Sequence, residues 1–341
     1  MSPTYELDVQ VVGGGAFGTA LANILAGLDR RVRLWVRRED QAAEINERHT
    51  NNRYLEGYEL APSLEATTDL AAGVRRARIV LVVLPSTAFR GVVKEIGETI
   101  KGDQILLHAT KGIEIGTFKR MSQILRQETC ALKIGVLSGP NLAREIMAGQ
   151  PAGSLVASRY DEVVSATQQA FAGGLFRVYG GRDVVGTEVG GSFKNIIAIA
   201  AGVATGLGLG DNAKALLVTR GLNEMARFGR SMGAAIVTFG GLAGIGDLMA
   251  TCASPLSRNH QVGARLGKGE TLDDILQSMT HVSEGVPTAK AVHAYAQAKG
   301  LDLPIVAAVN AMLYEGRSAS DAVEELMALP TGDEMAALNV R

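Results

Sequence analysis

The sequence predicts an α/β protein with a doubly wound parallel sheet in its N-terminal part and an all-helical C-terminal part. Three observations predict it. Short β-branched apolar runs alternate with helix-like stretches up to about Asp183, the pattern of repeated βαβ units. Beyond that point β-rich runs stop and alanine-rich helical segments take over. A glycine-rich turn, GGGAFG, lies between the first strand and the first helix. Strands are expected near residues 7–12 (LDVQVV), 31–36 (RVRLWV), 78–84 (RIVLVVL), 104–109 (QILLHA), 133–137 (KIGVL), 154–158 (SLVAS) and 176–180 (FRVYG). Between them, TALANILAGL and FRGVVKEIGETI place apolar residues three and four apart and read as crossover helices. In the second half AKALLVTRGLNEMARFG, PTAKAVHAYAQAKG and PIVAAVNAMLYEG read as helices, with glycine-rich joints at 206–212 and 239–247. The expected division is an α/β domain over 1–185 and an all-helical domain over 186–341. No long linker marks the junction, so the halves are expected to pack closely around a cleft.

At 341 residues the chain exceeds what one hydrophobic core serves, in keeping with two domains. Hydrophobic residues make up 47% and charged residues 20%, which is globular rather than disordered composition. The formal net charge of −1 offers no global attraction to nucleic acid or an anionic membrane, so neither is expected as a partner. Cys130 and Cys252 stand far apart with no CxxC or histidine cluster, so no metal site is expected and the thiols fit a reducing cytoplasm. The first residues, MSPTYELDVQ, lack a basic segment followed by an apolar one, and no apolar run is long enough for stable membrane insertion.

GGGAFG fits GxGxxG as Gly13, Gly15 and Gly18. The first glycine permits a tight turn, the second lets backbone approach a pyrophosphate, and the third allows helix to pack closely on strand, so a Rossmann-type dinucleotide site is expected. The helix start then offers unpaired N–H groups to the phosphates. About twenty residues on, an NAD site usually carries an acid for the ribose hydroxyls; here the second strand ends in Arg37 and Arg38. Two guanidinium groups suit a 2′-phosphate, which favours NADP(H), while Glu39 and Asp40 keep NAD(H) as the second cofactor, and all four residues also read as a solvated loop.

Beyond the carboxyl ends of later strands lie Lys111 in ATKGIE and Asn141 in SGPNLAREI, in the region where open sheets bind ligands, although Lys111 alone reads more often as a solvated loop lysine and Asn141 also as a helix cap. Ser257, Arg258 and Asn259 read as a helix entrance that could cradle a phosphate or carboxylate, or equally as a helix cap beside a surface charge. Asp247 sits in GLAGIGDL and could serve a site or a turn. Lys194 is constrained more tightly. A helix over 192–201 carries Phe193, Ile196, Ile197, Ala198, Ile199 and Ala200 around nearly its whole circumference, so it should be buried. A buried ammonium needs a partner or a lowered pKa. The helix alone supports a general acid or base and a structural ion pair equally.

Together these segments resemble the cytoplasmic bacterial NAD(P)-dependent glycerol-3-phosphate dehydrogenases. The carriers are GGGAFGTALA, LVVLPS, ATKGIE, SGPNLAREI, GGSFKNIIAIAAG, GLAGIGDLMATCASPLSRN and EGVPT, spread from the first glycine turn to about residue 330. The resemblance implies reversible reduction of dihydroxyacetone phosphate to sn-glycerol 3-phosphate, supplying glycerophospholipid synthesis. It implies Lys194 as the proton-transferring lysine, completed by Lys111 and Asp247. It further implies substrate contacts from Lys111, Gly139, Asn141, Lys194, Asn195, Asp247, Ser257, Arg258 and Asn259, with Arg258 and Asn259 on the phosphate. Cofactor contacts would come from Ala16, Phe17, Arg37, Arg38, Tyr54, Lys111, Ala143, Arg258, Val282 and Glu284, beside Gly13, Gly15 and Gly18. Relatives commonly carry Ala-Leu or Ala-Val where this chain has Ser192-Phe193, and the residue at position 141 varies. A homodimer is expected from the apolar, alanine-rich second half. Two competing readings are a related Rossmann plus helical-domain hydroxyacid dehydrogenase or reductase, which would not need Arg258 for phosphate, and a nonenzymatic NADP(H)-sensing module, which would leave Lys111, Lys194 and Asp247 without a joint purpose.

Overall fold

The computed structural model describes residues 5–279 and 283–332. They form two compact units. The first runs up to Thr110 and resumes from Met121 to Val184; the second comprises Lys111–Arg120 and the chain from Val185 onward.

The first unit is built on eight strands, β1 (Leu7–Val12), β2 (Val32–Trp35), β3 (Glu65–Thr67), β4 (Ala77–Val82), β5 (Ile105–His108), β6 (Lys133–Ser138), β7 (Ala152–Ser158) and β8 (Phe176–Gly181). Their spatial order is β3-β2-β1-β4-β5-β6-β7-β8. The first six follow the Rossmann order, whose topological switch lies between β1 and β4, where Val12 pairs with Val82. Period two explains why the central strands β4 and β5 carry apolar residues on both faces: Ile79, Leu81, Ile105 and Leu107 face one core, whereas Val80, Val82 and Leu106 face the other.

Two features differ from the sequence expectation. β3 was not expected; only Ala66 of its three residues is buried, so it has no apolar run to read. The sheet is also not wholly parallel, because β6 and β7 pair antiparallel, Val136 opposite Ala157. The connection explains the reversal. Between them lies a single five-residue helix, Ala143–Met147. At about 1.5 Å per residue such a helix rises roughly 7 Å, too little to carry the chain back along a strand of roughly 20 Å. The chain therefore returns as β7 itself.

In the second unit the described residues beyond β8 form only helices and turns. Its centre is the 23-residue helix Val184–Gly206, buried from Gly186 to Ala204. Phe193, Ile196, Ile197 and Ile199 share one core with Met225, Phe228, Val262, Val292 and Val306. The helix Arg258–Gly267 crosses it with backbone almost touching backbone: a Cβ at Gly202 would strike the carbonyl of His260, and one at Gly263 the carbonyl of Ile199. Only glycine permits that approach.

The segment Lys111–Arg120 departs from the division drawn at residue 185. Its side chains explain why it joins the helical unit. Ile113 is buried in that core, Phe118 packs edge-on against Tyr295 at 5.6 Å, and Arg120 pairs with the buried Glu188. Among the described residues, no helix is long and apolar enough to cross a membrane.

Candidate active site

The glycine turn of the first unit follows β1 directly and opens the helix Ala16–Gly27, with Gly15 as its N-cap. Gly13 has φ 124°, and a Cβ there would strike the carbonyl of Val83. A Cβ on Gly18 would strike the carbonyl of Gly13, so the third glycine is what lets the helix lie against the strand. Gly15 is different: a Cβ there would meet nothing within 4 Å, so its backbone borders open space at a helix start that has no side-chain cap. Open space beside uncapped N–H groups fits a pyrophosphate. Ala16 and Phe17 form the first helical residues and are half-buried.

Two side chains that the sequence did not single out hold this turn. Gln41 Nε2 donates to the carbonyl of Gly14 at 2.7 Å, and Asn51 Nδ2 donates to the same carbonyl at 3.1 Å and to Thr19 Oγ1 at 2.8 Å. Asn51 is fully buried, and neither residue lies in a recognisable motif. Close by in sequence, Arg38 is paired with Asp40, whose carboxyl it holds below the usual carboxylate range. Glu39 accepts from Thr68 Oγ1 at 2.6 Å. Arg37 is exposed and has no hydrogen-bond partner among the described residues. Tyr54 is half-buried on the short helix Asn52–Leu55.

Also in the first unit, Gly139 follows β6 with φ 157°, where a Cβ would come within 2.8 Å of the carbonyl of Gly153. Asn141 donates to Ser154 Oγ at 2.7 Å, while its Oδ1 is buried without a partner. Ala143 begins the helix Ala143–Met147.

The second unit gathers the charged side chains. Asp247 is 1% exposed and starts the helix Asp247–Ala253, directly after a π-helical turn over Leu242–Gly246. Such turns shift side-chain direction within a helix and often mark functional sites. The Asp247 carboxylate receives two amines: Lys111 Nζ on Oδ2 at 2.6 Å, and Lys194 Nζ on Oδ1. Lys194 is 6% exposed and donates also to Thr251 Oγ1 at 2.6 Å, while the Thr251 hydroxyl donates to the carbonyl of Asp247 at 2.6 Å. Among the described residues, Asp247 and Thr251 thereby engage two of the three Lys194 donors. Thr251 was not anticipated, although its place one turn after Asp247 is the signal that could have found it.

Two cations meeting one anion leave excess positive charge in a buried place. Burial therefore pushes the Lys194 ammonium down from 10.5 to about 7, with Lys111 acting in the same direction and Asp247 against it. Burial likewise pushes the neighbouring Cys252 thiol up to about 12, so it stays neutral. An amine tuned near neutrality can give or take a proton.

Asn195 does not join the amines. Its Oδ1 accepts from Asn259 Nδ2 at 2.9 Å, and the Oδ1 of Asn259 accepts from Ser283 Oγ at 2.6 Å and from the Gly285 N–H at 2.8 Å. Ser257 is the N-cap of the helix Arg258–Gly267, accepting from the His260 N–H at 3.3 Å. Arg258 keeps an exposed surface, yet the protein packed around its guanidinium lowers its pKa, opposed by Glu284. It remains cationic near neutral pH. Val282 lies outside the described residues.

Comparison with known proteins decides what this arrangement belongs to. Residues 8–164 match the family described as NAD-dependent glycerol-3-phosphate dehydrogenase N-terminus, and residues 183–324 the corresponding C-terminus. The chain belongs to the NAD-dependent glycerol-3-phosphate dehydrogenase family. It is 46% identical over 319 residues to the glycerol-3-phosphate dehydrogenase [NAD(P)+] of Azotobacter vinelandii, covering 94% of each chain. To the enzyme of the same name from Teredinibacter turnerae it is 46% identical, covering 95% of each. Among solved structures, the glycerol-3-phosphate dehydrogenase of Coxiella burnetii superimposes with a TM-score of 0.91 at 36% identity, over 96% of this chain and all of that one. Members of this family are NAD(P)-dependent oxidoreductases, so the paired amines belong to a dehydrogenase chain.

Proposed function

We propose that the protein reduces dihydroxyacetone phosphate reversibly to sn-glycerol 3-phosphate, with Lys194 as proton donor and acceptor and NADP(H) as the preferred cofactor. The observation that carries this reading is the Asp247 carboxylate shared by Lys111 and Lys194 inside an apolar helical core. The nicotinamide cofactor, when bound, supplies the hydride. The glycine turn would hold its pyrophosphate, and Arg37 its 2′-phosphate. The two acids that could favour NAD(H) are already engaged, Asp40 by Arg38 and Glu39 by Thr68, whereas Arg37 is unpaired among the described residues.

Lys194 gives its proton to the oxygen that becomes the alkoxide, and in the reverse direction takes it from the hydroxyl. Lys111 offers a second positive charge to that oxygen. Asp247 and Thr251 hold the Lys194 amine in one orientation, so no reorganisation is needed as charge develops. The apolar surround excludes water and strengthens each of these interactions. Arg258 and the free amide N–H of Asn259 would bind the substrate phosphate, which positions the carbonyl remote from it.

The proposed setting is the cytoplasm, feeding glycerophospholipid synthesis. The proposed assembly is a homodimer, supported by exposed Leu216 and Met327 bordering an apolar cavity of about 610 Å³ in the second unit. Sedimentation of the purified protein tests the assembly. The activity is tested by following oxidation of NADPH, then of NADH, in the presence of dihydroxyacetone phosphate. Both should be consumed, NADPH at the lower KM; consumption of neither would sink the reading. Arg258→Ala should raise the KM for dihydroxyacetone phosphate by about ten- to a hundredfold. An unchanged KM would point instead to a hydroxyacid reductase that does not bind phosphate.

A further inference from the structure

Ser192 lies on the central helix two residues before Lys194 and is 1% exposed. Its hydroxyl donates to the carbonyl of Glu188 one turn back at 2.8 Å, which fixes the direction of its remaining lone pairs. Onto that oxygen the Gly112 N–H donates, also at 2.8 Å. The peptide so held joins Lys111 to Gly112. Gly112 has φ 149°, a backbone turn that suits glycine.

The same turn of helix holds the far end of the excursion. Glu188, four residues before Ser192, pairs with Arg120. Between the two anchors the segment closes on itself: Ile113 bridges Arg120 antiparallel, and Glu114 and Lys119 are joined by an N–H to carbonyl bond of 2.9 Å. Glu188 and Ser192 thus clamp both ends of Lys111–Arg120 to the helix that carries Lys194. Lys111 has a flexible side chain of four methylenes and reaches Asp247 from a loop, so the place of its peptide helps to set where its amine meets Oδ2.

We infer that Ser192 is a positioning residue for the reaction, fixing the Lys111–Gly112 peptide so that the Lys111 amine meets Asp247 beside Lys194. This rests on the reading of Lys194 as proton donor. The charged and titratable groups that act on Lys194 are Asp247 and Cys252 from the helix Asp247–Ala253 and Lys111 from the excursion. Release of Lys111 removes a cation and leaves Asp247 to Lys194 alone. Both changes make the Lys194 ammonium harder to deprotonate.

The test is Ser192→Ala in the full chain, assayed with dihydroxyacetone phosphate and NADPH across pH, with melting temperature measured alongside. The expected result is a kcat lower by roughly three- to tenfold, an unchanged KM for NADPH, and a fall of rate with pH displaced to the alkaline side of wild type. Wild-type kcat and profile would overturn the inference, as would a loss of equal size at every pH, the mark of a merely structural hydroxyl. Should Ser192→Ala fail to fold, Ser192→Cys keeps the volume with a weak acceptor and reads the same two quantities. Lys194→Ala is measured in parallel. If it retains turnover the proton-donor reading fails, whereas an inactive Lys194→Ala beside a wild-type Ser192→Ala overturns only the role of Ser192.

Discussion

The glycine turn of the first unit and the amine pair of the second both prepare a place for anionic chemistry, by opposite means. The turn uses backbone N–H groups at a helix start and contains no ionisable side chain among Gly13–Gly18. The pair uses three ionisable side chains on three separate segments, 53 and 136 residues apart in sequence. A site made of backbone depends on what is absent, namely Cβ atoms. A site made of buried charge depends on balance, since each group sets the protonation of the others.

That contrast can be sharpened, beginning with the largest effect. Lys194→Ala should lower kcat by about a hundred- to ten-thousandfold, the usual worth of a general acid, while melting temperature changes little; near-wild-type turnover would remove Lys194 from the chemistry. In the wild type, reduction needs protonated Lys194 and so should decline as pH rises through about 7, and oxidation should rise over the same range. In Lys111→Met both inflections should move to higher pH, because the neighbouring cation that lowers the Lys194 pKa is gone.

Gly18→Ala tests the backbone site. Its methyl would strike the Gly13 carbonyl, so stability should fall by about 1–3 kcal/mol and the KM for cofactor should rise, with kcat at saturation less affected. Equilibrium unfolding and cofactor titration read the two parts. A smaller change is expected from Arg37→Ala: kcat/KM with NADPH should drop about tenfold while that with NADH holds. Equal losses for both cofactors would mean that Arg37 does not read the 2′-phosphate.

A last test lies away from both sites and touches stability alone. Glu224 is 5% exposed and accepts from the N–H groups of Ile305 and Val306, at 2.7 and 3.2 Å. Burial nevertheless pushes its carboxyl from 4.5 up to about 7. The folded protein thus keeps a proton that the unfolded chain releases above 4.5. This stabilisation is complete below 4.5 and is lost as pH rises through about 7, by on the order of 3 kcal/mol. Glu224→Gln should flatten that slope in denaturant unfolding; an unaltered slope would assign it to other groups.

How much could be read in the sequence follows the same contrast. β4 and β5 carry apolar residues on both faces and stand out as runs, β1 shows Val9 and Val11 on one face, and Gly13, Gly15 and Gly18 carry their meaning in six consecutive residues. β3 does not stand out, because a three-residue edge strand with one buried side chain has no pattern. Nor does the direction of β7 show in its own residues; it is set by the five-residue helix before it. Lys194 announces itself by the apolar helix around it, whereas Lys111 and Asp247 look like loop and turn residues until a family likeness groups them. Gln41 and Asn51 act through contacts made by folding, and nothing in their immediate neighbours distinguishes them, whereas Thr251 is marked only by its place one turn after Asp247.

The excursion Lys111–Arg120 also governs how the gene could be cut. Because the polypeptide leaves the first unit after Thr110, returns at Met121 and leaves again after Val184, no single truncation separates the two. A fragment ending at residue 184 would carry Ile113, Phe118 and Arg120 without the helical core that buries the first two and the carboxylate that neutralises the third. Grafting a different helical half onto this nucleotide-type half would require exchanging those ten residues as well, so an exchange that leaves them behind should yield insoluble protein.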